Sequence, residues 1–304
     1  MSIDLVVPKE VELPTLLDEL RKLSWASADV LMAYARGDEP PYGFPKSLTV
    51  EEGGEGPVSA ADMAVNELLI SGLKDNLAFK EWDILSEETS KEKTFQQDNY
   101  KKDWCWILDP LDGTRDFLQG SENYAVHIAL AYKKKPKIGI VLIPEKNELW
   151  FGIVGIGAWF ENRDGSKNHF SFSDRLDISK LILVSSKNHQ QSKLNNLLST
   201  LCFGETKKIG SVGCKVASIL RGESDVYISL SGTTSPKDWD MAAPHALIEA
   251  AGGMFSHADG RNLIYQETNY SQSGCLIASH GKSHQKICQK AMDFFSLEEP
   301  KYFV

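Results

Sequence analysis

Between Tyr124 and Phe160, short apolar runs alternate with turn-forming residues, and this pattern constrains the fold more than any other part of the sequence. The runs read YAVHIALAY, KIGIVLI, ELWFGIV and GAWFE, and the segments KKKP and PEKN separate the first three. Apolar runs of this length joined by short turns are typical of antiparallel β-strands. The sequence therefore predicts a meander of neighbouring strands in the first half of the chain.

After about Ser173 the pattern changes, and predicted strands alternate with predicted helices. The runs LILVSS, DVYISL and CLIAS are the strands. The predicted helices cover residues 190–201, 211–221 and 241–251, with one more at the end of the chain. Alternation of this kind indicates an α/β unit. We therefore predict two lobes: an α+β lobe with a largely antiparallel sheet over residues 1–173, and an α/β lobe over residues 174–304.

Helical spacing of apolar residues predicts two further helices near the N-terminus, over Thr15–Ala35 and Ser59–Ser71. A capping-box pattern of Thr15 and Asp18 marks the start of the first. The glycine-rich segment Glu51–Pro57 between the two helices is expected to be a loop.

The composition excludes several classes of protein. The 304-residue chain has a formal net charge of −9, so an anionic ligand must be met by local basic groups rather than by the overall charge. Its five cysteines form no Cys-x-x-Cys pair, which argues against a disulfide framework or a zinc site. The sequence has no signal-peptide pattern and no apolar run of membrane-spanning length. We expect a soluble cytoplasmic protein, monomeric or homodimeric, that binds neither nucleic acid nor membrane.

The segment WCWILDPLDGTRDFLQG, residues 104–120, places two carboxylates directly after an apolar run. Asp109 ends a predicted strand and Asp112 follows it closely, at the edge where ligand sites of α/β sheets usually lie. Gly113 and Thr114 then begin a predicted short helix, whose free N–H groups suit a phosphate. Neighbouring carboxylates repel each other unless a hard cation such as Mg²⁺ neutralises them. The segment predicts a metal and phosphate site; an acidic turn with a helix cap is the alternative.

Three further acids favour the metal site. Glu87, next to Glu88, ends the predicted strand DILSEE, Asp240 lies at the start of a predicted helix, and Asp62 follows Ser59 by three residues. Each has an ordinary structural explanation, as an exposed strand end or as a helix cap. Together with the DPLDGT segment, they place acids at four strand or helix ends, and we predict that these ends meet at one place.

The motifs PVSAAD, ILSEE, WILDPLDGTRDF and WDMAAPHALIEAAGG resemble, in order and spacing, those of the inositol monophosphatase-like superfamily of lithium-sensitive, Mg²⁺-dependent phosphatases. The resemblance extends from about Pro57 to about His280. It implies a layered α/β/α/β/α fold with a site for two or three Mg²⁺ ions between the lobes. The metal ligands that it implies are Glu87, Asp109, the carbonyl oxygen of Leu111, Asp112 and Asp240. The catalytic residues that it implies are Asp62, Glu87 and Thr114, with the threonine hydroxyl and a carboxylate orienting the attacking water.

The chemistry of phosphate esters is consistent with this resemblance. A phosphomonoester is a dianion, and water attacks it poorly. Two or more Mg²⁺ ions roughly 4 Å apart can neutralise the phosphate, acidify a water and stabilise the leaving oxygen. The sequence contains no GxSxG, HExxH or Walker motif, so it gives no support for a serine hydrolase, a zinc hydrolase or a nucleoside triphosphatase. His280 and His284 are predicted to be a surface pair rather than a metal site.

The choice of substrate rests on basic residues in the second lobe. The segment SSKNH, residues 185–189, resembles the Ser-Arg-x-His segment of the 3′(2′),5′-bisphosphate nucleotidases, with Lys187 at the arginine position. Two further segments, GSVGCK and TTSPKDWD, place Lys215 and Lys237 at matching lysines. The resemblance thus implies hydrolysis of 3′-phosphoadenosine 5′-phosphate to AMP and phosphate. The substrate-binding residues that it implies are Gly113, Thr114, Ser186, Lys187, His189, Lys215 and Lys237.

Other functions stay open at this point. A lysine at position 187 lacks the bidentate geometry of arginine, and solvated lysines are an alternative explanation for the basic residues. An inositol monophosphatase or a sugar phosphatase, acting for example on a fructose 1,6-bisphosphate-like ester, is the next hypothesis. A catalytically silent metal- or nucleotide-binding regulator on the same fold is a hypothesis of a different class.

Overall fold

The computed structural model describes residues 7–8, 11–53, 56–75, 82–92, 102–187, 192–231, 235–267 and 269–298. These residues form two mixed β-sheets and the helices that flank them. The helices are α1 (Leu13–Arg36), α2 (Ala60–Asp75), α3 (Glu87–Glu92), α4 (Thr114–Leu118), α5 (Ser192–Leu201), α6 (Val212–Leu220), α7 (Asp238–Ala250) and α8 (His284–Glu298). Among them, no helix is both long and apolar enough to cross a lipid bilayer.

The larger sheet has seven strands in the order β3-β4-β5-β6-β7-β8-β9. Strands β3 and β4 are parallel, and every later pair is antiparallel, so the predicted meander is confirmed. Lys133 and Lys134 form the turn between β5 and β6 with positive φ angles, as a tight hairpin turn requires. The strands are β3 (Asp83–Ser86), β4 (Trp104–Asp112), β5 (Ala125–Tyr132), β6 (Lys135–Ile143), β7 (Glu148–Ile153), β8 (Gly157–Glu161) and β9 (Lys167–Asn168).

The smaller sheet has five strands in the order β11-β10-β12-β14-β13. Strand β10 runs parallel to β11 and β12, whereas β14 runs antiparallel to β12 and β13. The sequence predicted three of these strands and missed the two at the edges, β11 with the polar sequence ETKK and β13 with MFSH. The strands are β10 (Ile182–Ser185), β11 (Glu205–Lys208), β12 (Val226–Leu230), β13 (Met254–His257) and β14 (Cys275–Ser279).

Three apolar clusters stack these elements into the predicted α/β/α/β/α layers. One joins α1 and α2 to the outer face of the seven-stranded sheet, the second lies around α6 and α7 between the sheets, and the third joins α5 and α8 to the five-stranded sheet. Helix α7 approaches the seven-stranded sheet closely because β6 and β7 carry glycines there: a Cβ atom on Gly139 would lie 2.3 Å from the Ala243 carbonyl oxygen, and one on Gly152 would lie 2.4 Å from the Leu247 Cα. The lobe boundary at residues 173 and 174 stays a prediction.

Local details near the N-terminus differ from the sequence predictions. The capping box at Thr15 is wrong, because α1 begins at Leu13 behind Glu12, whose side chain makes no cap hydrogen bond, and Asp18 pairs with Arg21 instead. The expected loop at Glu51–Pro57 is an antiparallel hairpin of β1 (Val50–Gly53) and β2 (Gly56–Ser59). Glu87 and Glu88 form the first turn of α3 rather than the end of a strand, although they still follow β3 directly.

Candidate active site

Three aspartates meet at the carboxyl end of β4. Asp109, Asp112 and Asp240 each offer a carboxylate oxygen, and these oxygens lie within 4.8 Å of one another. The pairing of β4 with β5 shifts register between Asp109 and Asp112. In a regular strand, residues three apart point to opposite faces, and an irregularity of this kind removes that restriction. The sequence prediction that acids from separate elements converge is correct for these three residues, which we call the acid cluster.

Asp112 is bound by the start of helix α6. Its Oδ2 atom accepts hydrogen bonds from the Ser211 hydroxyl at 2.5 Å and from the N–H groups of Val212 at 2.5 Å and Gly213 at 3.2 Å. The first N–H groups of a helix have no partner within the helix and carry the positive end of its dipole, so they stabilise a carboxylate there. Sequence analysis missed Ser211; a serine before a predicted helix is a signal for such a cap, but not for its partner.

Asp240 and Asp109 are held by backbone groups of their own segments. Asp240 is the third residue of α7, and its Oδ2 atom accepts from the Lys237 N–H at 2.5 Å. Asp109 accepts from the Leu111 N–H at 3.0 Å through Oδ1, whereas its buried Oδ2 has no hydrogen-bond donor among the described residues. This backbone support fixes both carboxylates without neutralising their charge.

The electrostatics of the acid cluster fit a divalent cation. Burial, followed by the charges of Glu87, Asp112 and Asp240, raises the pKa of Asp109 well above its usual range. Burial, followed by the charges of Asp112 and Glu87, does the same to the pKa of Asp240. Carboxylates this close and this buried must either take up protons or bind a cation. Mg²⁺ prefers oxygen ligands, and the acid cluster offers only carboxylate oxygens, one of which is buried without a hydrogen-bond donor among the described residues.

Thr114 and Asp62 form a second polar unit beside the acid cluster. Thr114 is the first residue of α4, after Gly113 at φ 95°. Its Oγ1 lies 2.9 Å from Oδ1 of Asp62 and 3.1 Å from the Leu111 carbonyl oxygen. The other oxygen of Asp62 accepts from the N–H of Ser59 at 2.8 Å and from its hydroxyl at 2.5 Å. Asp62 is therefore both the capping-box partner of Ser59 and the hydrogen-bond partner of Thr114, and burial raises its pKa.

The predicted substrate-binding lysines lie in different surroundings. The Nζ atom of Lys187, whose side chain is 36% exposed, lies 3.4 Å from Asp116 Oδ1 and 3.2 Å from the Ser121 hydroxyl. Lys237 precedes α7, and its Nζ lies 3.4 Å from the Asn269 carbonyl oxygen. Ser186, next to Lys187, is half-buried, and His189 lies outside the described residues.

Lys215 is buried. It is only 3% exposed, and its Nζ donates to the Ser211 carbonyl oxygen at 3.0 Å and lies over the Tyr227 ring at 5.3 Å from the centroid. Burial lowers the pKa of Lys215, and the nearby charges of Asp112, Asp116 and Asp240 oppose that shift. The substrate contact predicted for Lys215 stays a prediction.

The prediction of a surface pair at His280 and His284 is wrong, because both side chains are buried. The ring nitrogens of His284 lie 2.9 Å from the Ser279 hydroxyl and 2.8 Å from the Ser256 hydroxyl, and the Nε2 atom of His280 lies 3.8 Å from Asp225. His284, the first residue of α8, thereby connects this helix to strands β13 and β14. The described residues contain no metal-ligand group around them.

A model of the inositol monophosphatase family matches residues 16–294 of the chain. The chain belongs to the inositol monophosphatase family. The matched residues include both sheets, the acid cluster, Thr114 and Asp62. Family membership makes the protein a phosphatase of a metal-dependent family.

Two family members and one solved structure illustrate the similarity. The 3′(2′),5′-bisphosphate nucleotidase CysQ of Buchnera aphidicola is 31% identical over 213 residues, which are 69% of this chain and 74% of that protein. The protein of the same name from Escherichia coli K12 is 28% identical over 250 residues, 82% of this chain and 94% of that protein. The IMPase of Thermotoga maritima superposes with a TM-score of 0.72 at 21% identity, covering 93% of this chain and 98% of that one, and this likeness shows the fold.

Proposed function

We propose that the protein is a Mg²⁺-dependent phosphomonoesterase that hydrolyses 3′-phosphoadenosine 5′-phosphate to AMP and phosphate. The observation that carries the proposal is the acid cluster, three carboxylate oxygens within 4.8 Å of one another beside the pair of Thr114 and Asp62. Proposed metal ligands are Glu87, Asp109, the carbonyl oxygen of Leu111, Asp112 and Asp240. When bound there, two or three Mg²⁺ ions would neutralise part of the phosphate charge and favour the ionisation of water.

The chain itself would orient the attacking water and accept its proton. Thr114 has a single hydroxyl hydrogen, and donating it to Asp62 leaves the oxygen lone pairs free to accept a hydrogen bond from a water. A proton can then pass from the water to Oγ1 of Thr114 and from there to Oδ1 of Asp62. Burial raises the pKa of Asp62, which makes this carboxylate a better base than an exposed one.

The preference for a bisphosphate rests on the lysines and on the two relatives named as bisphosphate nucleotidases. A second phosphate group needs a local cation, because the protein as a whole is acidic. Lys187 and Lys237 are exposed enough to reach a ligand, and Lys215 is the third lysine proposed for the substrate site. Gly113, Ser186 and His189 complete the proposed substrate site.

One observation favours a monophosphate substrate instead. The charge of Lys187 already has a partner in the buried carboxylate of Asp116. If that pair persists with substrate bound, Lys187 contributes little to a distal phosphate, and an inositol or sugar monophosphate becomes the better candidate.

A panel of phosphate esters tests the proposal. The purified protein is assayed with Mg²⁺ on 3′-phosphoadenosine 5′-phosphate, 3′-AMP, inositol 1-phosphate and fructose 1,6-bisphosphate. We expect the highest kcat/KM on 3′-phosphoadenosine 5′-phosphate, loss of phosphate release with EDTA, and inhibition by Li⁺. A preference for inositol 1-phosphate would establish the alternative. No release from any ester would indicate a silent binding protein. Cytoplasmic localisation and a monomeric or homodimeric state belong to the same proposal.

A further inference from the structure

His127 of strand β5 lies next to each of the three aspartates of the acid cluster or to the residue beside it. It is fully buried and is the cross-strand partner of Asp109 in the pairing of β4 with β5. Its Nε2 atom lies 3.2 Å from Oδ2 of Asp112, and its Nδ1 atom lies 3.4 Å from the carbonyl oxygen of Trp239, the residue before Asp240. Sequence analysis missed His127, whose only signal is a lone histidine within the apolar run YAVHIALAY.

The imidazole is held tightly against the start of α6. A Cβ atom on Gly213 would lie 2.4 Å from Nε2 of His127 and 2.7 Å from the Val141 side chain. Only a glycine therefore fits between the helix and the ring. The same Gly213 donates its N–H to Asp112, so the ring, the helix start and the carboxylate pack as one unit.

Within the part of the chain that the structure describes, every polar contact of the Asp112 side chain falls on Oδ2. Three come from the start of α6, and the contact with His127 comes from the opposite element, β5. Nε2 of His127 lies 3.2 Å from Oδ2 of Asp112 and makes no hydrogen bond with any described residue. Contacts of this kind around a ligand carboxylate set the direction of its remaining oxygen.

We propose that His127 is a positioning residue, which holds Oδ2 of Asp112 through Nε2 so that Oδ1 is directed at the metal. This inference rests on the proposed metal site. His127 contacts the proposed metal ligand Asp112 and takes no part in the chemical step.

Two amide substitutions separate the contacts of the ring. His127→Gln can place an amide nitrogen near the position of Nε2 and so keep the contact with Asp112. His127→Asn can place its amide near Nδ1, where it keeps the contact with Trp239 and loses the one with Asp112. Both variants stay polar and close in size to histidine. His284→Gln is the matched control, because His284 is equally buried and bonded, but in the second lobe.

The readout is the Kd of Mn²⁺ by isothermal titration calorimetry, without substrate. We expect His127→Asn to raise this Kd about tenfold, and His127→Gln and His284→Gln to stay within about threefold of the wild type. Equal Kd values for His127→Asn and His127→Gln, whether changed or unchanged, would overturn the inference. A wild-type protein that binds no Mn²⁺ would instead overturn the metal site itself.

Discussion

The hydroxyl of Thr114 lies 2.9 Å from the carboxylate of Asp62, a residue 52 positions away in the sequence. The contact joins the start of α4 to the start of α2, and the capping box with Ser59 fixes Asp62 from the other side. Because both partners are anchored by helix starts, the hydroxyl has a defined direction beside the acid cluster. This geometry can relay a proton, and it also stabilises the fold, so experiments must separate the two contributions.

Replacing Thr114 with alanine removes the hydroxyl that would orient the attacking water. We expect kcat to fall about 100-fold or more, because the proposed path of the proton from the water to Asp62 passes through this hydroxyl, while the Kd of Mn²⁺ stays within about threefold. Thr114→Ser retains the hydroxyl and should recover most of the rate. A higher metal requirement with an unchanged limiting rate would mean that Thr114 is only a structural cap.

Replacing Asp109 with asparagine removes a charge from the acid cluster and nearly preserves its shape. We expect activity at saturating Mg²⁺ to fall by at least about two orders of magnitude, since metal-based charge stabilisation contributes several kcal/mol to the rate. Asp103→Asn, at the exposed residue just before the other end of β4, is the control and should keep full activity. Wild-type turnover in Asp109→Asn would show that the acid cluster is not part of the catalytic site.

Replacing Lys187 with alanine tests the contact with a second phosphate. A charge-assisted hydrogen bond contributes about 1.5–3 kcal/mol, so kcat/KM on 3′-phosphoadenosine 5′-phosphate should fall roughly tenfold or more. The value on 3′-AMP should change little, because that substrate has no distal phosphate. Lys180→Ala, at an exposed position two residues before strand β10, is the control.

Lys215→Ala belongs in the same comparison. If Lys215 contacts the distal phosphate, this substitution should lower kcat/KM for the bisphosphate much more than for 3′-AMP. Equal losses on both substrates would show that the buried ammonium group instead balances the charges of Asp112, Asp116 and Asp240. The values of kcat/KM are measured at fixed Mg²⁺ and ionic strength, because surface charge interactions depend on salt.

Acid should destabilise the protein in part through His284. Burial lowers the pKa of His284 from 6.5 to about 4. Between these pH values the unfolded chain binds a proton that the folded protein does not, so the free energy of unfolding falls as the pH falls, by up to about 1.4 kcal/mol per pH unit.

Urea denaturation at pH 4.5, 5.5 and 7, with EDTA present, measures this effect. The wild type should lose more stability between pH 7 and pH 4.5 than His284→Gln, and comparing the two removes the contribution of other titrating groups. His169→Gln, at an exposed site, serves as the control and should follow the wild type. The same pH dependence in wild type and His284→Gln would contradict the buried, neutral state of this ring.

Local patterns in the sequence were sufficient for the elements whose signals are local. The alternation of apolar runs and turns predicted strands β5 to β8, because the side-chain period of a strand and the chemistry of a turn act within a few residues. The DPLDGT segment likewise predicted two neighbouring carboxylates and a helix start. Edge strand β11 was missed because the four residues ETKK carry no apolar period, and only its pairing with β10 makes it a strand.

Contacts between distant residues were decided by the tertiary structure alone. The hydroxyl of Ser211 reaches Asp112 across 99 positions of the sequence, and the Nδ1 atom of His127 reaches Trp239 across 112. No local pattern encodes which helix start will face which strand end, since that depends on how the two sheets pack on α6 and α7. For the same reason His284 was taken for a surface residue, although its partners Ser279 and Ser256 lie in strands β14 and β13 of the five-stranded sheet. The sequence by itself determined which acidic residues are available to bind a metal. The packing of the layers determined which side chains surround and orient these acids. The physical reason is that the orientation of a buried side chain is set by neighbours that come close only after folding.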